Sequence, residues 1–361
     1  MPECFKKYNK TEKDKLNKYI RILYGDLLKS YKYIEKLGHE SNIELNINTI
    51  NHKVNYSSEY FPKNILNYIN STTHILFSYK AKIHGKNIHL KFFDNANHPK
   101  YNKNTLTEYA TIVFMTFSFL NSFASKKCSK NLHISIFLTP FKKKLPTNPR
   151  DIIGANNVNT GLSSAGCNAT SKIVIYRDEE WFKVLIHELF HNLDLDFSTM
   201  NISKIQRKLL YKFEIQSEYN IYETYCEIWA RILNVAIKSF LKTDSREKFI
   251  QEFHLLINKE RIFSLMQANK IIKKFKKPEE YRESSNVFCY YILTAALINN
   301  LVEFFLWTNN NDNMIKFKKT EKNLEFFVEL LLEQINSEEF EKNLECVSKL
   351  KNNDSLKMTI I

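Results

Sequence analysis

Residues 173–197 read IVIYRDEEWFKVLIHELFHNLDLDF. The opening IVIY, with Lys172 before it, predicts a short strand over residues 172–176. Asp178 then stands as a helix N-cap, with Glu179 and Glu180 in the first turn, where carboxylates favour the positive end of the helix. Trp181, Phe182, Val184, Leu185, Ile186, Leu189, Phe190 and Leu193 make this helix apolar nearly all round, so it is expected to be buried. Inside it, His187 and His191 are four residues apart and share one face. Two imidazoles placed in this way reach one metal ion, and neutral imidazole is a good ligand for Zn²⁺. Glu188 projects beside that face, where a general base acting on a metal-activated water has to stand. An HExxH string arises in roughly 2% of shuffled chains of this composition, so the surroundings must carry the argument. Two His and a Glu in a buried helix need partners, because unpaired polar groups there cost several kcal/mol. A metal supplies them; a pair of hydrogen-bonded core histidines is the simpler alternative.

The whole chain has 361 residues, 43% of them hydrophobic and 14% aromatic, enough for a sizeable core and far from the composition of a disordered polymer. Lys and Asn abound while Gly (6) and Pro (7) are few, a bias that an AT-rich genome produces, which leaves codon drift and adaptation both open as sources of the net charge of +14. Basic clusters such as residues 141–144 and 273–277 attract acidic peptides, nucleic acid or anionic lipid in principle. No nucleic-acid-binding signature accompanies them, which favours a solvated basic surface. The six cysteines are scattered without CxxC spacing, and the opening MPECFKKYNK has no apolar core of a secretory signal. Free thiols in a reducing, cytoplasmic compartment are therefore expected. The apolar run 287–307 is interrupted by Asn299, Asn300 and Glu303, which reads as a buried helix rather than a membrane span.

Three regions follow. Residues 1–70 form a helical N-terminal extension, with apolar positions Leu16, Ile20, Leu23, Leu27 and Ile34 spacing a helix over about 11–37. Residues 71–197 form a sheet subdomain. Within it, 73–79 and 82–93 read as strands, with His84-Gly85-Lys86-Asn87 as turn chemistry between alternating residues and hence a hairpin; a helix covers about 105–124, and another strand covers 132–139. His74, His84 and His89 lack metal-ligand spacing and read as structural or surface residues. Asn157, Asn159 and Gly161 mark either a short edge strand offered to an extended peptide or an ordinary loop. Residues 198–361 are a helical subdomain after a polar connector, so the fold class is α+β.

A catalytic zinc site needs a third protein ligand. Asp194 and Asp196 are near, but their use requires a sharp helix-ending turn and no Gly supplies one. Downstream, residues 221–231 form an apolar helix carrying Glu223 and Glu227 on one face, with Arg231 one turn further on. Stacked like charges repel, and a nearby dication resolves that conflict. HExxH followed 32 residues later by ExxxE resembles the gluzincin branch of the zincin metallopeptidases, and ETYCE with its trailing Arg looks like the second helix of lethal-factor-like members. That resemblance covers about residues 73–237 and implies a zincin-like sheet subdomain with a backing helix. It also implies Glu223 as third ligand, with Glu227, and Asp194 beside it, supporting from outside. It departs at Gln216, where lethal-factor-like proteins carry a Tyr; Tyr219 and Tyr222 are the substitutes in this chain. The segment also resembles orphan genes of large DNA viruses, which would place the protein in host cytoplasm or the virion.

The expectation is thus a zinc metallopeptidase. Zn²⁺ sits on His187, His191 and Glu223, Glu188 is the general base, and Tyr219, Tyr222 or Arg231 faces the oxyanion. Its substrate is a peptide or protein, with a mild preference for acidic segments. Two alternatives stand beside it. Cys167 as third ligand would resemble a peptide deformylase, and a zincin-like fold without catalysis would serve as an interaction or virion protein.

Overall fold

A computed structural model describes the chain apart from residues 1–4, 6–7, 41, 56–57, 149–150, 165, 204, 206, 208–218, 275–281 and 351–352. It divides into two compact units. One comprises Gly25–Lys143 and Asn159–Leu195; the other comprises Met1–Tyr24, Lys144–Val158 and Asp196–Ile361. The helix α1, Lys10–His39, begins in the second and ends in the first.

The first unit is built on a six-stranded mixed sheet in the order β1-β2-β3-β4-β6-β5. Strands β1 (Ile43–Ile50), β2 (His74–Ile83) and β3 (Lys86–Asn95) are antiparallel. Strands β4 (Asn131–Phe137) and β6 (Thr170–Ile175) run parallel to β3, and the short β5 (Gly161–Ser163) closes the edge antiparallel to β6. The expected hairpin forms, with His84 (φ 48°) and Gly85 (φ 78°) as the two turn residues, so β2 runs on to Ile83 and β3 starts at Lys86 rather than at residue 82.

Side chains alternate across the pleat. Phe77, Tyr79, Leu90, Phe92, Ile134, Ile136, Ile173 and Ile175 lie on one face, fully or almost fully buried, on the side of α3 (Lys103–Asn121) and α5 (Trp181–Asn192). On the other face Phe93, Phe137 and Val174 pack with Phe61 and with Ile65 and Ile69 of α2 (Lys63–Ser71). Burying each such aliphatic side chain contributes about 1.5–3 kcal/mol. His74, His84 and His89 are structural as expected: His74 Nε2 meets the Ile69 carbonyl, His84 stacks on Tyr33, and His89 bonds Ser78.

Three expectations need correction. Residues 1–70 are not helical throughout, because β1 lies within them; its polar residues (Asn46, Asn48, Thr49) are exposed on an edge strand and hide the strand period. Asn157 is not in the edge strand. It sits in the short helix α4 (Ala155–Val158), where its Oδ1 accepts the Gly154 N–H, and the strand starts only at Gly161. Finally, Cys128 and Cys167 are joined in a disulfide and Cys346 is also disulfide-bonded, whereas Cys226 and Cys289 are buried thiols. The bridge removes Cys167 as a thiolate ligand.

The second unit is helical: α6 (Tyr222–Lys242), α7 (Arg246–Lys274), a π-helical turn Phe288–Leu293 running into α8 (Thr294–Asn299), then α9 (Leu301–Trp307), α10 (Glu321–Ile335) and α11 (Glu338–Ser348). No single helix among the described residues is long and apolar enough to cross a membrane, and the run around residues 288–310 bends by 92°. Its polar break is satisfied inside the protein: the Asn299 carbonyl accepts Arg261 Nε and Nη2 at 3.0 and 2.7 Å, and its Oδ1 accepts Asn343 Nδ2.

Candidate metal centre

Helix α5 carries the HExxH residues. The sequence places Asp178 at its N-cap, but Lys100 and the Tyr101 hydroxyl bind that carboxylate. Glu180 takes the cap position in the left-handed region (φ 62°), its carboxylate paired with the buried Lys143 at 2.8 Å. At the other end the sharp turn that no Gly supplies is made by Asp194 itself, at φ 58°. Asp tolerates this conformation better than most residues. The Leu195 N–H then donates to the Phe190 carbonyl at 3.0 Å and that of Asp194 to His191 at 3.2 Å, so the last carbonyls are satisfied.

Within this helix His187 Nε2 and His191 Nε2 lie 3.2 Å apart, with the rings edge to face. Both imidazoles and Glu188 are buried, at 6–7% exposure. Two nitrogens each bound to one tetrahedral zinc at 2.0–2.1 Å stand about 3.3 Å apart, so the pair fits a shared ion. Glu188 borders the edge strand: a Cβ on Gly161 would lie 3.4 Å from its Oε1, 2.9 Å from Val184 Cγ1 and 3.1 Å from the Val174 carbonyl. The glycine keeps backbone and carboxylate this close. The Asn159 carbonyl accepts Arg177 Nε at 2.8 Å.

The far end of α5 is fastened to the disulfide loop. Gly166 N–H donates to the His191 carbonyl at 3.2 Å, Asn192 Nδ2 to the Ser164 carbonyl at 3.1 Å, and Ser129 Oγ to Asn192 Oδ1 at 2.7 Å. Cys128 and Cys167 flank these contacts.

In the helical unit, Glu223 occupies the first turn of α6, half-buried, and accepts the Tyr290 hydroxyl on Oε2 at 3.1 Å. Glu227 is buried and accepts Arg231 Nε at 2.9 Å. Arg231 is fully buried, with Nη1 on Ser264 Oγ (2.6 Å) and Nη2 on the Tyr290 carbonyl (2.8 Å). Its three nitrogens are thus engaged inside the protein, which makes it a brace of Glu227 and lends no support to an oxyanion contact. Tyr219 is fully buried against Phe288, and burial pushes its phenol far above the ordinary range. Tyr222 is half-buried, edge-on to Phe197. Neither observation supports an oxyanion contact for these two tyrosines. Asp196 is buried and accepts Ser198 Oγ (2.8 Å) and Cys226 Sγ (3.4 Å). Gln216 lies outside the described residues.

Each unit therefore assembles part of the expected set: His187, Glu188, His191 and Gly161 in the sheet unit; Glu223, Glu227, Arg231 and Tyr290 in the helical one. The sequence did not single out Tyr290. It lies in the apolar string FCYYIL, which reads as an ordinary core helix, and only the π-turn reveals its direction.

No protein-family model matches the chain, and no solved structure matches it. It is 29% identical over 199 residues to the uncharacterized protein R210 of Acanthamoeba polyphaga mimivirus, covering 49% of each chain. The chain thus spans about half the length of that relative.

Proposed function

We propose that the protein is a zinc-dependent metallopeptidase. The observation that carries this reading is the 3.2 Å separation of two buried imidazole nitrogens with Glu188 beside them at a sheet edge. His187 and His191 would hold the ion, and Glu223 would complete the set as the acidic ligand, on the strength of its spacing from HELFH and its place in the ExxxE helix. A zinc ion held there supplies Lewis acidity and lowers the pKa of a coordinated water towards neutrality. Glu188 takes the proton of the attacking water and passes it to the leaving amine. The edge strand β5 pairs its open side with an extended peptide, the mode in which backbone hydrogen bonds give affinity. The basic composition favours acidic segments, testable as a KM that rises with salt.

The same short nitrogen–nitrogen distance suits two histidines sharing a proton, and a metal-binding protein without catalysis would keep the ligands too. Metal analysis decides. The wild type should carry one zinc per chain, His187→Ala and Glu223→Ala should lose it, and Glu188→Gln should keep it. A wild-type protein that takes up no zinc refutes the proposal. Zinc without cleavage of any member of a broad peptide library favours the non-catalytic reading.

A further inference from the structure

We infer that Tyr290 is the positioning residue of Glu223, delivered to that carboxylate by the π-helical turn; this rests on the reading of Glu223 as a metal ligand. The phenol donates to Glu223 Oε2 at 3.1 Å, while the backbone carbonyl of the same tyrosine accepts Arg231 Nη2 at 2.8 Å. Arg231 grips Glu227 Oε1 through Nε at 2.9 Å, and both side chains are at most 1% exposed. One residue therefore ties together both carboxylates of the ExxxE helix, the first by its side chain and the second through Arg231.

The turn that brings it there is held from several sides. A π-turn places one extra residue in the ring and disturbs the usual i→i−4 ladder, and such turns cluster at functional sites. Its starting residues are fixed: Asn286, at φ 54°, accepts the Asn220 N–H on Oδ1 at 2.9 Å, and Glu283 accepts the Phe288 N–H at 2.8 Å. The Cys289 carbonyl is met by both the N–H and the hydroxyl of Thr294, the latter at 2.8 Å. Asn220 lies three residues before Glu223, so one side chain of the turn fixes the approach to α6 while another holds its first carboxylate.

The chemical need is orientation. The terminal torsion of a glutamate is broad and nearly two-fold, so a carboxylate without a fixed partner swings. A phenol donating to one oxygen stops that rotation and presents the group in a set plane. Hydrogen bonds of this outer kind typically govern metal affinity by 10–100-fold.

The experiment compares zinc dissociation constants, by chelator competition, for wild type, Tyr290→Phe and Tyr291→Phe in the full chain. Tyr291 is the neighbour whose hydroxyl donates to the Leu356 carbonyl at 2.5 Å. Tyr290→Phe should weaken zinc about 10–100-fold and alter the visible spectrum of the cobalt-substituted protein. Tyr291→Phe should lower the melting temperature yet leave zinc affinity and the cobalt spectrum unchanged. Equal zinc affinity in wild type and Tyr290→Phe overturns the inference and leaves the metal centre standing. A parallel loss of affinity in Tyr291→Phe also overturns it, because the effect would then be general to the helix. Absence of zinc from the wild type removes both readings.

Discussion

A methyl group is enough to test how tightly Glu188 is set. In Gly161→Ala the new Cβ meets the Val174 carbonyl at 3.1 Å and Val184 Cγ1 at 2.9 Å, and a backbone oxygen inside a sheet has little room to retreat. The substitution should destabilise the protein by about 1–3 kcal/mol, read as a lower urea midpoint, and displace the edge strand from the carboxylate. For the carboxylate itself, Glu188→Gln preserves shape but removes the group proposed as proton acceptor. Zinc content should stay at the wild-type level while peptide turnover falls about 10²–10⁴-fold, measured on any peptide the wild type cleaves. At this scale the shared face of His187 and His191 and the burial of their helix were legible, because both follow from helical spacing and an apolar sequence. Asp194 was not. Its left-handed backbone ends the helix without the glycine that usually announces such a turn, and a side chain able to adopt φ 58° leaves no mark in the string.

Elements were legible where one period dominated. The β2–β3 hairpin has alternating strands and a Gly in its turn, while α5 and α6 have strong apolar stripes. Strand β1 escaped because Asn and Thr occupy its exposed edge, and α4 took Asn157 because a four-residue helix is too short to show a period. The π-turn is a further such case, and its entrance carries a titratable group. Glu283 is buried, and burial pushes its carboxyl up to about 8 from an ordinary 4.5, against the pull of the backbone N–H groups of Phe288 and Val287. The native state thus keeps a proton that the unfolded chain releases. This contribution to stability is complete below about 4.5 and is lost as pH rises through about 8. Glu283→Gln retains the acceptor for Phe288 and does not titrate. Its melting temperature should therefore fall less between pH 5 and pH 8 than that of the wild type, and parallel profiles would contradict the assignment.

For the molecule as a whole, the α+β division was legible from the change of hydrophobic period along the chain. The cross-link was not. Cys128 and Cys167 are 39 residues apart, and they meet because the parallel pairing of β4 with β6 brings their preceding loops side by side, with Ser129 N–H on the Asn168 carbonyl and Asn131 N–H on Ala169. Spacing along a chain carries no trace of that register, so the expectation of free thiols fails at these two positions, as it does at the disulfide-bonded Cys346. A loop of this length loses about 4 kcal/mol of denatured-state entropy on closure in the chain-entropy picture. Cys128→Ser/Cys167→Ser should therefore lower the denaturant midpoint, and adding a thiol reductant to the wild type should approach the same value. A midpoint indifferent to both would mean that the bridge does not contribute. Because the bridge flanks the hydrogen bonds from Gly166 and Ser129 to the end of α5, its loss should also loosen the backbone at His191, seen as faster amide exchange there.

The π-turn also behaves as an angular setting. Deleting a single residue between Tyr290 and Thr294 would restore an ordinary helix and swing Tyr290 by about 100° about the axis relative to α8. Chain length at this point is therefore under a constraint that side-chain identity alone does not capture. A related protein shorter by one residue here would have to offer Glu223 a different donor.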